Sequence, residues 1–369
     1  MKKLIKNNSL IDNLNSVVIG DCIKVLRNYP DNSVDLIFAD PPYNLQLNDK
    51  LLRPDNSEVL GVNENWDKFS NFESYDNFLN CWLKECQRIL KPTGSIWVIG
   101  SYHNIFRVGR VIQDIGFWIL NDIIWNKTNP MPNFRGRRFT NAHETIIWAA
   151  KDKDSKYKYN YDATKSLNGD IQMRSDWNIP ICTGGERIKK QNGEKSHPTQ
   201  KPEALLHRII LSASEPGSIV LDPFFGTGTT GVVAKRLGRK WIGIESNKEY
   251  AKIANERILN INEASKESIE IKQTKRDQPR IPFGNLVERG LIEPGTKLYS
   301  LKKKYFAIVK VDGSIETNNI NGSIHKLGAY VQGLESCNGW TFWHFSDGRK
   351  LYPIDTLREK IRCELSNAA

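Results

Sequence analysis

The sequence predicts an α/β fold: a doubly wound, mostly parallel seven-stranded sheet, followed by a small C-terminal α+β domain. Three observations carry this expectation. Short apolar, β-branched runs recur through the first two thirds of the chain, continuous rather than alternating, as in strands covered on both faces. Helical stripes lie between several of them, which is the rhythm of a parallel sheet with helical crossovers. A charged, weakly patterned stretch then gives way to a second, separate set of strands.

The seven runs are SVVIG (16–20), VDLIFA (34–39), SIWVIG (95–100), NDIIW (121–125), ETIIWAA (144–150), SIVLD (218–222) and KWIGIE (240–245). Between the second and third, YDNFLNCWLKECQRIL (75–90) puts Phe78, Trp82, Cys86 and Ile89 on one stripe, with KPTG closing the helix. After the seventh, NKEYAKIANERILNI (247–261) reads as a helix capped by Ser246. Residues 151–196 interrupt the rhythm: they are polar, rich in Lys, Tyr and Gly, and too long for a simple connection, within an insert expected over about 131–196. The expected organisation is a first domain over 1–262, a linker over 263–280, and a second domain over 281–369 with strands in KLYSL, FAIVKV and GWTFWHF.

Composition narrows the function classes. With 39% hydrophobic and 10% aromatic residues, the chain is an ordinary folded protein. Its 53 Lys and Arg against 42 Asp and Glu leave a net charge of +11, which favours a polyanionic partner. No run approaches the length of a membrane span, and MKKLIKNNSL carries no apolar signal region, so a cytoplasmic protein is expected. The six cysteines form no CxxC pair and no His/Cys spacing suited to a metal, so no metal is expected.

Two stretches carry chemistry. In FADPPYNLQL (38–47) a buried run is broken at once by Asp40, Pro41, Pro42 and Tyr43. That fixes a carboxylate and an aromatic ring at a strand's carboxyl end, where open α/β sheets bind ligands. In LDPFFGTGTTG (221–231) another run ends in Asp222 before glycines at 226, 228 and 231, where the backbone turns sharply and amides at a helix start face a ligand. A glycine turn alone is a weak signal. The next run ends in Glu245, placed as carboxylates that grip ribose hydroxyls are placed, and the two features together point to a nucleoside-type ligand.

DPPY paired with DPFxGxGTTG resembles the signature of amino-methyltransferases that use S-adenosylmethionine, in the motif order of the class often called beta. IGDC (19–22) and HPTQKPEALL (197–206) extend the resemblance. WVIGSYHNIFRVG, ILNDIIWNKTNPMPNFRGRRFTNAHETIIWA and QMRSDW resemble the cell-cycle-regulated GANTC adenine methyltransferases and their restriction-associated relatives. The likeness covers nearly the whole chain. It implies S-adenosylmethionine as cofactor, held by Asp21, Cys22, Asp40, His197, Thr199, Lys201, Asp222, Phe224, Gly226, Gly228, Thr229 and Glu245. In that scheme Asp21 meets the adenine amino group of the cofactor, and Thr199 and Lys201 lie near its carboxylate.

The chemistry agrees with DPPY. An exocyclic base amine is a poor nucleophile because its lone pair is delocalised into the ring. Asp40 accepts one N–H and the Pro41 carbonyl the other, Pro42 fixes φ so that the carbonyl faces outward, and Tyr43 offers a stacking face. Transfer then needs proximity and electrostatic help rather than a covalent adduct. Cys22 and Cys182 lack the Pro–Cys context of C5-cytosine enzymes.

A base inside a duplex must be flipped out, so double-stranded DNA is the expected partner. FRGRRF puts Arg135, Arg137 and Arg138 between aromatics, and in such a family the insert recognises the target; a solvated surface loop is the plainer alternative. Lys165, Gln172, Arg174 and Trp177 are candidate base readers. Residues 272–310 hold ten Lys or Arg against three acids, including Lys302, Lys303 and Lys304 among Tyr299, Tyr305 and Phe306. NGSIHKLGAY and NGWTFWHF resemble the small module of restriction-type adenine methylases, which implies a DNA-binding part; a packing domain or dimer contact is the alternative. The resemblance also implies a homodimer. The competing functions are cytosine-N4 methylation, which the family more often pairs with serine at position 40, and a catalytically silent DNA-binding regulator, which would not need an intact DPPY.

Overall fold

The computed structural model describes residues 10–45, 67–133, 136–188, 193, 199–269, 281–348 and 350–367. The chain divides into two compact units, Met1–Lys272 and Gln273–Ala369.

In the first unit, β1 (Ser16–Ile19), β2 (Val34–Ala39), β3 (Leu90–Gly100), β4 (Trp118–Lys127), β5 (His143–Ala150), β6 (Asp176–Ile179), β7 (Ile219–Asp222) and β8 (Lys240–Glu245) form one sheet. Their order is β1-β8-β7-β2-β3-β5-β4-β6. Eight strands replace the expected seven. The extra one, β6, comes from the polar insert, where DWNI alternates and buries only Trp177 and Ile179. A continuous apolar run marks a strand buried on both faces, and this edge strand alternates instead. The sheet is mostly parallel, but β5 runs antiparallel to both β3 and β4. Its start therefore shares an edge with the ends of its neighbours.

The sheet is covered on both faces because its strands are apolar on both. Along β2, Ile37 and Ala39 join one core cluster, and Leu36 and Phe38 the other. The first cluster takes in α1 (Cys22–Leu26), α2 (Phe72–Ile89) and α3 (Ile105–Ile115); the second takes in α5 (Glu203–Ala213), α6 (Thr229–Arg236) and the inner side of α7 (Lys248–Leu259). The short α4 (Tyr161–Leu167) lies in the insert.

Two helix boundaries differ from expectation. Helix α2 begins earlier, at a capping box in which Asn71 and Ser74 bond each other's backbone N–H, and KPTG belongs to β3 rather than to a helix terminus. Helix α7 is capped not by Ser246 but by Asn247, whose side chain accepts from the amides of Glu249 and Tyr250. Within the segment expected to be a linker, α8 (Lys266–Ile269) is helical. The backbone N–H of Ala264 donates to Arg236 O, which ties its approach to the first unit.

The second unit is built on a six-stranded antiparallel sheet ordered β12-β11-β10-β9-β13-β14. The strands are β9 (Lys297–Tyr299), β10 (Phe306–Val309), β11 (Ile315–Thr317), β12 (Ile320–Gly322), β13 (His344–Ser346) and β14 (Leu351–Pro353). Helices α9 (Gly284–Glu288), α10 (Ile324–Gln332), α11 (Gly339–Phe342) and α12 (Asp355–Asn367) complete it. GWTFWHF is thus not one strand. Its first half is α11, started by Asn338, and only its end pairs as β13. Trp343 is fully buried at the junction, and its indole N–H donates to Ile324 O.

Candidate active site

Strands β2, β7, β8 and β1 are adjacent and parallel, so their carboxyl ends meet at one edge. This brings DPPY, the glycine turn, Glu245 and Asp21 together despite their distance in sequence. A cleft of ≈ 340 Å³ opens there, lined by Asp21, Cys22, Asp40, Pro41, Pro42, Tyr43, Thr199, Lys201, Phe224, Gly226 and Glu245. That is the lower end of the range for small-molecule sites, about 300–1,000 Å³.

DPPY and the two residues after it are held from two sides. The Tyr75 hydroxyl of α2 donates to Pro42 O at 2.7 Å and accepts from Asn104, just before α3, at 3.2 Å. Asp67 accepts from the amides of Asn44 at 2.7 Å and Leu45 at 3.1 Å. Asn44 lies at φ 53°, a left-handed bend that Asn tolerates. None of Tyr75, Asn104 and Asp67 was singled out from the sequence, because a helix residue bonding a distant carbonyl leaves no local signature.

Asp40 is 18% exposed and accepts from Lys201 Nζ at 2.6 Å through Oδ2. Its Oδ1 is buried and has no hydrogen-bond partner among the described residues. Burial pushes the Asp40 carboxyl up, and the Lys201 ammonium pulls it back. Lys201, only 8% exposed, also lies 4.0 Å from Glu144 Oε2 and 5.4 Å from the Tyr43 ring centroid. Burial would lower the Lys201 ammonium, but Asp40 and Glu144 outweigh it and hold it above its ordinary value. The sequence placed Lys201 toward a cofactor carboxylate; here its ammonium rests on Asp40.

Glu144, at the start of β5, is a further member that sequence reasoning did not find. It is 11% exposed and accepts from Lys127 Nζ at 2.8 Å and from the Tyr43 hydroxyl at 3.0 Å. Burial pushes its carboxyl up, yet Lys201 and Lys127 hold it below the usual range. Tyr43 is pushed well above its ordinary value by burial and by the two carboxylates. A signal did exist in the sequence. Lys127 and Glu144 are charges directly flanking buried strand runs, where an unpaired charge would be costly.

The glycine turn divides its labour. Glu245, at the end of β8, accepts from the amides of Gly226 (2.7 Å) and Asn247 (2.8 Å). Ser246 bonds the same carboxylate through its backbone and its side chain, and Glu245 lines the cleft. Burial raises it above the ordinary carboxylate value, against the pull of those amides. Asp222 instead spends both oxygens internally, on Phe224 N and the Thr230 hydroxyl, and burial pushes it up to about 7. Gly228 opens α6 at φ 80°, and a Cβ there would stand 2.9 Å from that of Ala254. The Thr229 hydroxyl bonds Lys201 O and Arg257. Asp222 and Thr229 line only a small adjoining cleft with Asp40, Thr199 and Lys201, whereas Gly228 serves the α6–α7 contact. Asp21 lines the main cleft while capping α1 through Lys24 N, and burial raises the Cys22 thiol to about 12.

The nucleic-acid candidates scatter. Arg137 and Arg138 are exposed on the connection between β4 and β5, which leaves and re-enters the sheet at the DPPY edge. Arg138 donates to the Tyr102 hydroxyl at 2.9 Å. Gln172 is exposed, Lys165 is half-buried on α4, and Arg174 is tied to Asp176. Arg174 thereby sits at β6, four strands from β2, or about 19 Å at the usual strand spacing, while α4 packs on α5. Trp177 is corrected: it is 5% exposed, stacks on Trp97 and donates its N–H to Arg174 O, a core residue rather than a reader of bases. Arg135 and His197 lie outside the described residues. In the second unit, Lys302, Lys303 and Lys304 are exposed in the β9–β10 turn, with Lys303 and Lys304 over the rings of Tyr299 and Tyr305. No helix among the described residues is long and apolar enough to cross a membrane, and those residues hold no cluster of three or more His, Cys, Asp or Glu suited to a metal.

A carboxylate with one oxygen lacking a partner among the described residues, an aromatic ring and a nucleoside-sized cleft lie together at this edge. The chain belongs to the DNA methylase family, whose model matches residues 34–256, and residues 263–367 match the module described as Restriction Enzyme Adenine Methylase Associated. It is 48% identical over 347 residues to the type II methyltransferase M.HinfI of Haemophilus influenzae, covering 94% of this chain and 96% of that protein. It is 46% identical over 251 residues to the type II methyltransferase M2.DpnII of Streptococcus pneumoniae, covering 68% and 91%. Among solved structures, the PvuII DNA methyltransferase (cytosine-N4-specific) is similar with a TM-score of 0.52 and 28% identity, over 69% of this chain and 89% of that one. An M1.HpyAVI–SAM complex is similar with a TM-score of 0.49 and 29% identity, over 67% and 99%.

Proposed function

We propose that this protein transfers a methyl group from S-adenosylmethionine to N6 of an adenine flipped out of duplex DNA, with GANTC as the target. The observation that carries this reading is Asp40 Oδ1, a buried acceptor with no partner among the described residues, beside the Tyr43 ring. A vacant buried acceptor costs stability unless a ligand fills it, and an exocyclic amine donates the N–H that would.

The residues present fit the methyl donor. Glu245 puts a carboxylate on the cleft wall for ribose hydroxyls, Asp21 offers one for an adenine amine, and Phe224 and Phe78 give the cleft an apolar wall. S-adenosylmethionine supplies an electrophilic methyl on a sulfonium. The protein's own share is orientation. Asp40 draws one amine N–H toward Oδ1, the Pro41 carbonyl takes the other, and Tyr43 stacks on the base so that the nitrogen lone pair points at the donor. Extruding the base costs about a few kcal/mol, which basic contacts to the backbone offset. Arg137, Arg138 and Lys302–Lys304 are assigned to that role.

Adenine is favoured by the match of residues 263–367 to an adenine-methylase-associated module and by aspartate at position 40. GANTC rests on the motif resemblance. Likeness to a cytosine-N4-specific enzyme supplies the one competing reading. The deciding experiment transfers labelled methyl to duplexes with and without GANTC, followed by digestion to nucleosides. N6-methyladenosine from the GANTC duplex alone is expected. Label on cytosine overturns the base, and no label with both ligands bound overturns the enzyme.

A further inference from the structure

Glu144 is a buried carboxylate that the proposed reaction does not use. Three groups converge on it: the Lys127 ammonium at 2.8 Å, the Tyr43 hydroxyl at 3.0 Å and the Lys201 ammonium at 4.0 Å. Lys201 bonds Asp40 in turn. The cluster is two carboxylates and two ammonium groups, all largely buried, so its charges cancel only while all four are present. Each comes from a different stretch of chain: Asp40 follows β2, Lys127 ends β4, Glu144 opens β5 and Lys201 precedes α5. Glu144 accepts from the Tyr43 hydroxyl at 3.0 Å, and it reaches that hydroxyl because β5 runs antiparallel and starts at the DPPY edge.

We infer that Glu144 is a positioning residue: it holds the Tyr43 ring as the stacking face for the target base and, by sharing Lys201 with Asp40, keeps that ammonium on Oδ2 and away from the vacant Oδ1. This rests on the proposed base methylation. Stacking needs a ring fixed in tilt, and Tyr43 follows two prolines on a loop rather than lying in a helix or strand. A hydrogen bond from its hydroxyl to an ionised acceptor is of the stronger, charge-assisted kind and fixes the far end of the ring. Lys201 and Lys127 together keep Glu144 ionised. Burial alone favours the protonated acid, and a protonated Glu144 would be a weaker acceptor.

The test compares Glu144→Gln, Tyr43→Phe and the double variant in the full chain, with single-turnover methylation of a GANTC duplex and 2-aminopurine fluorescence at the target position. Both singles are expected to slow the chemical step on the order of 10- to 100-fold, the range expected for one hydrogen bond to a charged group. Affinity for S-adenosylmethionine, measured by calorimetry, should stay within about 2-fold. The double variant should be no slower than the worse single, because both changes remove one interaction. 2-Aminopurine should be brighter in each variant than in the wild type, since a loosely held ring quenches an extruded base less well. A Glu144→Gln rate within about 2-fold of wild type, or a double variant slowed by the product of the singles, overturns the assignment. Loss of cofactor binding in Glu144→Gln also overturns it, in favour of a scaffold role. Failure of the wild-type protein to methylate the duplex is a different result and overturns the proposed function instead.

Discussion

Replacing Asp40 by alanine removes the acceptor for the amine and leaves Lys201 with Glu144 as its nearest anion. The expected outcome is a loss of methyl transfer of about 100- to 1,000-fold, the usual cost of deleting one positioned electrostatic contact, with cofactor binding retained. Single-turnover rates beside calorimetric affinities check both halves, and full activity would end the mechanism. Asp222 makes a prediction about pH. Burial raises its carboxyl to about 7 from an ordinary value of 3.8. Between those values the folded protein holds a proton that the unfolded chain has released, so stability falls as pH rises from about 4 to about 7, and the deficit persists above. Asn in place of Asp222 keeps an acceptor for Phe224 N and deletes that titration. Its melting temperature should gain on the wild type from pH 5 to pH 8, and parallel melting curves would refute this. At this scale the sequence disclosed the residues that begin or end a motif, such as Asp40, Tyr43 and Glu245. It hid those that reach the site across the fold. Lys127, Glu144, Tyr75 and Asp67 reach DPPY and its neighbours only because strands and helices far apart in sequence are brought together.

At the level of elements, the capping box of α2 satisfies backbone donors that the first turn would otherwise leave unmade. Asn71→Ala should cost about 1 kcal/mol in urea unfolding without altering the denaturant slope. Gly228→Ala should cost more, about 1–3 kcal/mol, because alanine would be forced into a left-handed backbone with its Cβ against Ala254. Unchanged stability in that variant would mean that the α6–α7 contact relaxes freely. Strands were legible where burial is two-sided, as in VDLIFA and SIVLD. DWNI was not, since an edge strand with one buried face is brief and half polar. GWTFWHF misled for a related reason: aromatic residues suit strands, yet here Asn338 caps a turn of helix before β13 begins.

For the whole molecule, charge is unevenly spread, and Lys302, Lys303 and Lys304 stand exposed beside aromatic rings in a turn of the second unit. If they neutralise phosphates, changing all three to Gln in the full chain should weaken DNA binding and flatten its salt dependence. The log–log slope should fall by about 0.9 for each phosphate that goes without its lysine. An unchanged slope would assign that surface to packing or self-association. The two-unit division carries a sequence trace in the charged stretch after residue 262, although part of that stretch, α8, is helical. The reversal of β5 has a consequence of another kind. Because β4 leaves the sheet and β5 returns to it at the same edge, the described residues 128–133 and 136–142 lie on a connection pinned at both ends by strand pairing. Lys127 and Glu144, at its two anchors, bond each other at 2.8 Å and close the base of the connection. If the basic residues on that connection meet the target as proposed, grafting a different connection between those two charges would alter which duplex is methylated while the ion pair at its base stays closed.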